Sequence, residues 1–318
     1  MKFRPFLIGD VHLGRKFKNK DIPLNKRGFR EKLLRIRFEQ YIKTGIEEVQ
    51  KGACSCVVQL GDLFDSFCVS YEDLLYAYEQ LDKFNDAKID CYILAGNHDI
   101  SKDTERVSAL ELLDLMFLRS TKTKYVHILI TDTITAYDDD EVHILMPYSH
   151  QNNTVEGTKI FQDNEHKQYL YGHFDEPFPV EWQHQFEHVY TGHIHKPKTE
   201  GNITVVGSIL PFTFAEDPTN TFMRTVTLDE YYEDLNNGVS EYRCYRIKLR
   251  DGEELPVERH CLQMSVYEEK KNISEEDISV DFETFDLEKL MHEALDDTGL
   301  FEEIYKLYSE YKMAEASE

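Results

Sequence analysis

The chain has 318 residues, 41% apolar and 30% charged, with 60 acids against 36 bases and a net charge of −24. That length supports about two domains, or one large domain with an appendage, and the composition excludes wholesale disorder. No run of eighteen apolar residues occurs, which argues against a membrane span, and the opening Met1-Lys2-Phe3-Arg4 reaches Asp10 too soon for a signal peptide, so a cytoplasmic location is expected.

A short apolar run at 6–8 reads as a strand ending in Gly9-Asp10. Leu33, Leu34, Tyr41, Ile42, Ile46 and Val49 then recur at helical spacing. A second strand at 56–60 runs into Gly61-Asp62, and Leu74, Leu75, Tyr78 and Leu81 mark the next helix. A third strand at 91–94 closes on Gly96-Asn97-His98-Asp99. Strands alternating with helices predict a βαβ core. From about residue 124 the pattern turns to strands, at 126–130, 142–146, 169–171, 188–191 and 203–206, with a polar surface loop over 151–167. A layered α/β sandwich follows, with its ligands at the C-terminal ends of the strands.

The tail differs. Leu287, Leu290, Met291, Ala294 and Leu295 share one helical face after Asp286, and Leu300, Ile304, Leu307, Tyr308 and Tyr311 follow Gly299. Two short amphipathic helices joined near a glycine predict a hairpin that either docks on a partner or packs back onto its own domain. Residues 251–318 hold 21 acids and 6 bases, whereas residues 11–37 hold ten bases against Asp21 and Glu31. Charges more than about 8 Å apart are largely screened at physiological salt, so the two ends of the chain face different partners. The six cysteines form no CxxC pair and read as buried thiols of a reducing compartment.

Five motifs stand at predicted strand ends: Asp10-Val-His12, Gly61-Asp62, Gly96-Asn97-His98-Asp99, Gly172-His173 and Gly192-His193-Ile-His195. Glycine lets the backbone turn sharply while polar side chains converge above the sheet. Carboxylates, imidazoles and one carboxamide, without thiolate, suit manganese, iron or zinc. Two such ions about 3.5–4 Å apart clamp a phosphoryl group and activate water.

This series resembles the calcineurin-like metallophosphoesterases, and within them the SbcD-type recombination nucleases. The stretch Gly207-Ser-Ile-Leu-Pro-Phe-Thr-Phe-Ala-Glu216 is also similar to the SbcD segment after the last histidine motif. The resemblance covers roughly residues 1–230 and looks like a tailed-phage member. It implies a layered α/β/β/α sandwich with a nuclease domain at 1–229, a small capping or DNA-specificity region at 230–282 and C-terminal helices at 283–318. It assigns one metal to Asp10, His12, Asp62 and His195, and a second to Asp62, Asn97, His173 and His193, with manganese(II) as the expected ion. His98 is implied as a catalytic group outside the ligand set. Asp65, where some members carry histidine, is expected to pair with the His98 imidazole.

The same resemblance implies a 3′-to-5′ exonuclease on duplex DNA and an endonuclease on single strands. Its expected partner is an SbcC-type coiled-coil ATPase, in a heterotetramer built on a homodimer, in the host cytoplasm if phage-encoded. Leu287, Leu290, Met291, Ile304 and Leu307 are the expected ATPase contacts. The bases Arg15, Lys16, Lys18, Lys20 and Lys196 beside the motifs are expected to follow a phosphate backbone, whereas Phe174, Phe212 and Phe214 read first as core or rim, with contact to bases or sugars as the alternative. The alternative is a phosphatase or cyclic-nucleotide phosphodiesterase on the same scaffold. Asp65-Ser66-Phe67 stands where phosphoprotein phosphatases carry Asp-Arg-Gly, which counts against a phosphoprotein substrate.

Overall fold

Four short apolar runs become the parallel strands β1 (Pro5–Ile8), β2 (Cys56–Gln59), β3 (Cys91–Leu94) and β4 (Val126–Leu129), side by side in that order. The computed structural model describes residues 2–17, 22–101, 106–120, 124–149 and 165–267. Parallel neighbours need long crossovers, which α1 (Phe29–Gln50), α2 (Tyr71–Ala87) and α3 (Ala109–Arg119) supply. Ser70 caps α2 by accepting the Asp73 N–H, and Ser108 and Glu111 cap each other's backbone at the start of α3. Helix α3 escaped the periodicity reading. Leu110, Leu113 and Phe117 are buried, but Leu112, Leu115 and Leu118 are exposed, so apolar residues surround the helix and blur its stripe.

A second sheet contains β5 (Ile134–Asp138), β6 (Glu141–Met146), β7 (Lys167–Gly172), β8 (His188–Thr191), β9 (Lys198–Glu200) and β10 (Ile203–Val205), ordered β5-β6-β7-β8-β10-β9. Only the β5–β6 and β9–β10 pairs are antiparallel. The alternation of side chains along a strand sorts the core into layers. Val57, Cys91 and Ile93 face Phe38, Leu81 and Leu113 of the helices. Cys56, Val58 and Leu94 face Leu145 and Tyr171 of the second sheet. The far side of that sheet packs Ile144, Leu170 and Val189 on Trp182 of the short helix α4 (Trp182–Gln185) and on Phe186. These layers agree with the expected sandwich. The expected loop lies outside the described residues as far as 164, and Lys167 already opens β7.

A third, small parallel sheet follows: β11 (Met223–Thr227), β12 (Cys244–Lys248) and β13 (Gln263–Val266). Helix α5 (Leu228–Asn236), capped by Thr227 and Glu230, covers one face through Tyr231 against Tyr245, Ile247 and Met264. The sheet opens a few residues before the 229/230 boundary expected from sequence. The chain divides into one unit, Met1–Tyr267, and a second, Glu268–Glu318. The second unit lies outside the described residues, and so do the expected C-terminal helices with Leu287, Leu290, Met291, Ile304 and Leu307. Among the described residues no helix is long and apolar enough to cross a membrane.

Candidate metal centre

Each motif leaves the C-terminal end of a parallel strand: Asp10 after β1, Asp62 after β2, Asn97 after β3, His173 after β7 and His193 after β8. The two sheets are stitched together at this edge. Backbone N–H groups of Val11 and His12 donate to the Asp62 carbonyl, that of Ile209 to the Asp10 carbonyl, and that of His193 to Asp10 Oδ1 at 2.9 Å. His12, Asp62 and His193 are all left-handed, with φ of 54°, 53° and 74°. Such backbone costs about 1–3 kcal/mol per residue and persists where surrounding bonds over-determine it. Two glycines are sterically required. A Cβ on Gly61 would sit 2.4 Å from His173 Nδ1, and one on Gly96 would sit 2.2 Å from Asp62 Oδ1.

Four imidazoles turn one nitrogen inward and back the other against an oxygen. His173 Nδ1 donates to the Leu60 carbonyl at 2.8 Å, and its Nε2 faces Asn97 Oδ1 at 2.9 Å and Asp62 Oδ2 at 3.5 Å. His193 Nε2 meets Asp175 Oδ1 at 2.7 Å, and its Nδ1 faces Asn97 Oδ1 at 3.0 Å and His173 Nε2 at 3.2 Å. His12 Nδ1 lies 3.2 Å from Asp65 Oδ1 without making a hydrogen bond, and its Nε2 lies 3.5 Å from Asp62 Oδ2 and 3.0 Å from His195 Nε2. His195 Nδ1 lies 3.5 Å from Glu216 Oε1. Outer carboxylates and carbonyls of this kind fix the tautomer and orientation of metal-ligating histidines.

The inward atoms fit divalent cations. With their outer nitrogens protonated, His12, His173, His193 and His195 present lone pairs, as do Asn97 Oδ1 and the carboxylates. Acceptors crowded at 2.9–3.5 Å repel one another unless positive charge lies among them. Asp10 Oδ2 is buried without a hydrogen-bond partner among the described residues. Burial pushes the His173 imidazole down, but the Asp62 and Asp10 carboxylates outweigh it and raise it to about 9, so its inward nitrogen presents a lone pair once a cation takes the place of the proton those acids draw there. Burial pushes Asp62 up, yet the imidazoles of His173 and His12 and the His98 N–H hold it well below the usual carboxylate range. Two groups of donors share Asp62, Asp10–His12–Asp62 and Asp62–His173–His193, and a third, His12–Asp65–His98, adjoins them.

Residues 3–197 match the family described as calcineurin-like phosphoesterase. The chain belongs to that family. Its members are phosphoester hydrolases that use divalent metals, and the donor set here offers candidate ligands for them. "Exonuclease subunit 1" of Enterobacteria phage T4 is 25% identical over 192 residues, covering 55% of this chain. The match spans 54% of that relative, about half its length. One solved structure superposes at a TM-score of 0.35 and 11% identity, over 65% of this chain and 91% of that one, too weak a likeness to add to the argument.

Two expectations change in this phosphoesterase. The Asp65 carboxylate does not hydrogen-bond the His98 ring: it receives Arg15 Nη1 at 3.0 Å and lies beside His12, while His98 Nδ1 donates to the Asp65 backbone carbonyl at 2.8 Å. Arg15, also stacked 4.1 Å over Phe212, holds that carboxylate, which still lies within 4.8 Å of a ring nitrogen of His98. The basic run is also less available than its composition suggests. Arg30 is buried, lying over Phe17 and donating to the Phe212 carbonyl, and Arg35 is held by Glu72 and Asp73. Lys16 and Lys196 are exposed near the site, Lys198 is paired with Glu176, and Lys18 and Lys20 lie outside the described residues. Phe174 and Phe212 are buried.

Sequence reading named Asp99 and Glu216 within its segments without giving them a role, and it missed Asp175. Asp99 accepts the N–H groups of Leu63, Phe64 and Gly96, and burial beside Asp62 pushes it up to about 7. Burial pushes Glu216 up, but His195 and the Phe212 N–H outweigh that and bring it to about 2. Only position signalled them: Asp175 two residues beyond His173, Glu216 at the end of the segment after the last motif.

Proposed function

We propose that the protein is the nuclease subunit of an SbcCD-like recombination and repair complex, hydrolysing DNA phosphodiesters with two divalent ions, manganese(II) as the working pair. The observation that carries this reading is the open side of the donor set. His98 is exposed and lines a cleft of about 530 Å³ with Phe67, Ile100 and Arg106. A cleft open beside the ligands admits a diester with a nucleoside on each side of its phosphorus. The name of the phage relative, an exonuclease subunit, agrees with a DNA substrate and a multi-subunit enzyme.

In this reading Asp10, His12, Asp62 and His195 hold one ion and Asp62, Asn97, His173 and His193 the other. The ions, when bound, supply Lewis-acid activation of phosphorus and of the attacking water. His98 does the proton work at the leaving oxygen. Its Nδ1–H is committed to the Asp65 carbonyl, so Nε2 takes up and releases the proton. Arg15 holds Asp65 beside His12 and so steadies the ligand. Arg15, Lys16, Lys18, Lys20 and Lys196 are proposed to follow the phosphate backbone, residues 230–282 to cap the site, and residues 283–318 to dock the ATPase.

Manganese-supplemented cleavage of an end-labelled duplex, set beside hydrolysis of a small phosphomonoester, tests the proposal. DNA cleavage with little monoester hydrolysis supports the nuclease. Monoester hydrolysis with intact DNA would replace it by the phosphatase reading.

A further inference from the structure

The face of the small sheet opposite α5 combines cations and aromatic rings. Side chains two apart along a strand share a face, so Arg246 and Lys248 of β12 project away from Tyr245 and Ile247, which pack toward α5. The Arg246 guanidinium lies over the Phe214 ring at 4.6 Å and over the Tyr267 ring at 5.2 Å, and it donates to Thr225 Oγ1 on the neighbouring strand. Lys248 Nζ lies 5.4 Å from the centre of Tyr267.

Parallel sheets are ordinarily covered on both faces. One end of this face is covered, since Met223, Cys244 and Leu262 pack on Phe29 and Leu33 of α1. Beyond it Thr225, Arg246, Ser265 and Tyr267 are half-buried and Lys248 is exposed. In a chain with 60 acids, other arginines in and beside this sheet have carboxylate partners: Arg224 and Arg243 share Asp234, and Arg250 meets Asp229 and Glu253. Among the described residues no carboxylate lies within ion-pair distance of Arg246 or Lys248. Glu230, whose charge Lys248 feels, is engaged by Thr227 in the cap of α5.

The patch adjoins the metal centre through one short segment. Phe212 lies edge-on to His195 at 5.0 Å and to His12 at 5.3 Å. Phe214, two residues on, touches Arg246, and two residues of chain span roughly 7 Å at most. Rings alternating with cations suit unpaired bases, whose faces stack on aromatics while phosphates meet the charges. A duplex hides its base faces, and an acidic peptide would leave the rings unused.

We propose that Phe214, Arg246, Lys248 and Tyr267 form a stacking platform for a single-stranded segment of nucleic acid whose end lies in the metal centre. The proposal rests on the nuclease reading and adds to it how an unpaired strand is held.

The full-length chain is titrated with a fluorescent, cleavage-resistant phosphorothioate oligothymidylate, and a version carrying 5-iododeoxyuridine is photocrosslinked to it. Tyr267→Ala is expected to weaken binding about tenfold, Lys248→Ala to weaken it and flatten its salt dependence, and Tyr267→Phe to restore it. Crosslinks are expected on Tyr267 or Phe214. An unchanged melting midpoint shows that each variant is folded, and Lys248, being exposed, tests the idea even if Tyr267→Ala unfolds. Wild-type affinity in both alanine variants, or crosslinks confined to other surfaces, would overturn the platform. If the wild type cuts DNA while these variants bind it normally, the platform alone falls. If the wild type hydrolyses a small phosphodiester but neither binds nor cuts DNA, the nuclease reading falls with it.

Discussion

The Asp62 carboxylate accepts the backbone N–H of His98 through Oδ1 at 2.9 Å, while Oδ2 faces His12 and His173 at 3.5 Å each. The acid shared by both donor groups therefore also fixes the loop that presents the exposed imidazole. Losing it should disturb both ions and the position of His98 at once. Asp62→Asn is expected to cut manganese uptake and turnover by more than about a hundredfold, measured by metal titration of the purified chain and by duplex cleavage.

His98→Ala separates catalysis from ligation. The ring is exposed and its bond to protein is one Nδ1–H to a carbonyl, so the fold survives its removal. Metal stoichiometry should stay at the wild-type value while turnover drops about 10²- to 10⁴-fold. Loss of metal along with turnover would move His98 into the ligand set.

Asp175 and Glu216 stand behind His193 and His195 without facing the inward donors. Asp175→Asn keeps the shape but weakens the acceptor that orients His193. Manganese affinity should fall about 10- to 100-fold, with turnover recovering at saturating metal. An unchanged titration curve would reduce Asp175 to a rim acid.

Asp65→Asn discriminates between two arrangements of that carboxylate. A carboxylate paired with the His98 ring would shift the pH–rate profile when neutralised. Because Asp65 instead meets His12 and Arg15, and His98 uses only its carbonyl, the profile should keep its shape while metal affinity declines. A displaced profile at saturating metal would restore the ring pair.

Asp234, beside the small sheet, is expected to make stability depend on pH. Burial pushes its carboxyl up, but the Tyr245 hydroxyl and the guanidinium groups of Arg224 and Arg243 outweigh that and lower it. A depressed folded-state value gives stability that is present above the unfolded value, about 3.9, and is lost as pH falls toward the folded one. Melting curves from pH 6 down to pH 3 should show Asp234→Asn less stable than wild type at the upper end. The difference should narrow below about pH 4.

The sequence by itself determined the strands that carry the site and the chemistry they present. The runs at 56–60 and 91–94, short and closed by glycine, read as buried strands, and Asp62, Asn97, His173 and His193 stand at their ends or at those of β7 and β8, where glycine lets the chain turn. Only the tertiary structure decided which oxygen stands behind which imidazole. Asp65 chose Arg15 and His12 over His98, Asp175 entered unannounced, Glu216 took a role its segment had not given it, and Arg30 left the basic surface for the interior. Periodicity is a property of neighbours along the chain, whereas these pairings depend on how closely strands from two sheets approach and which rotamer each long side chain then takes.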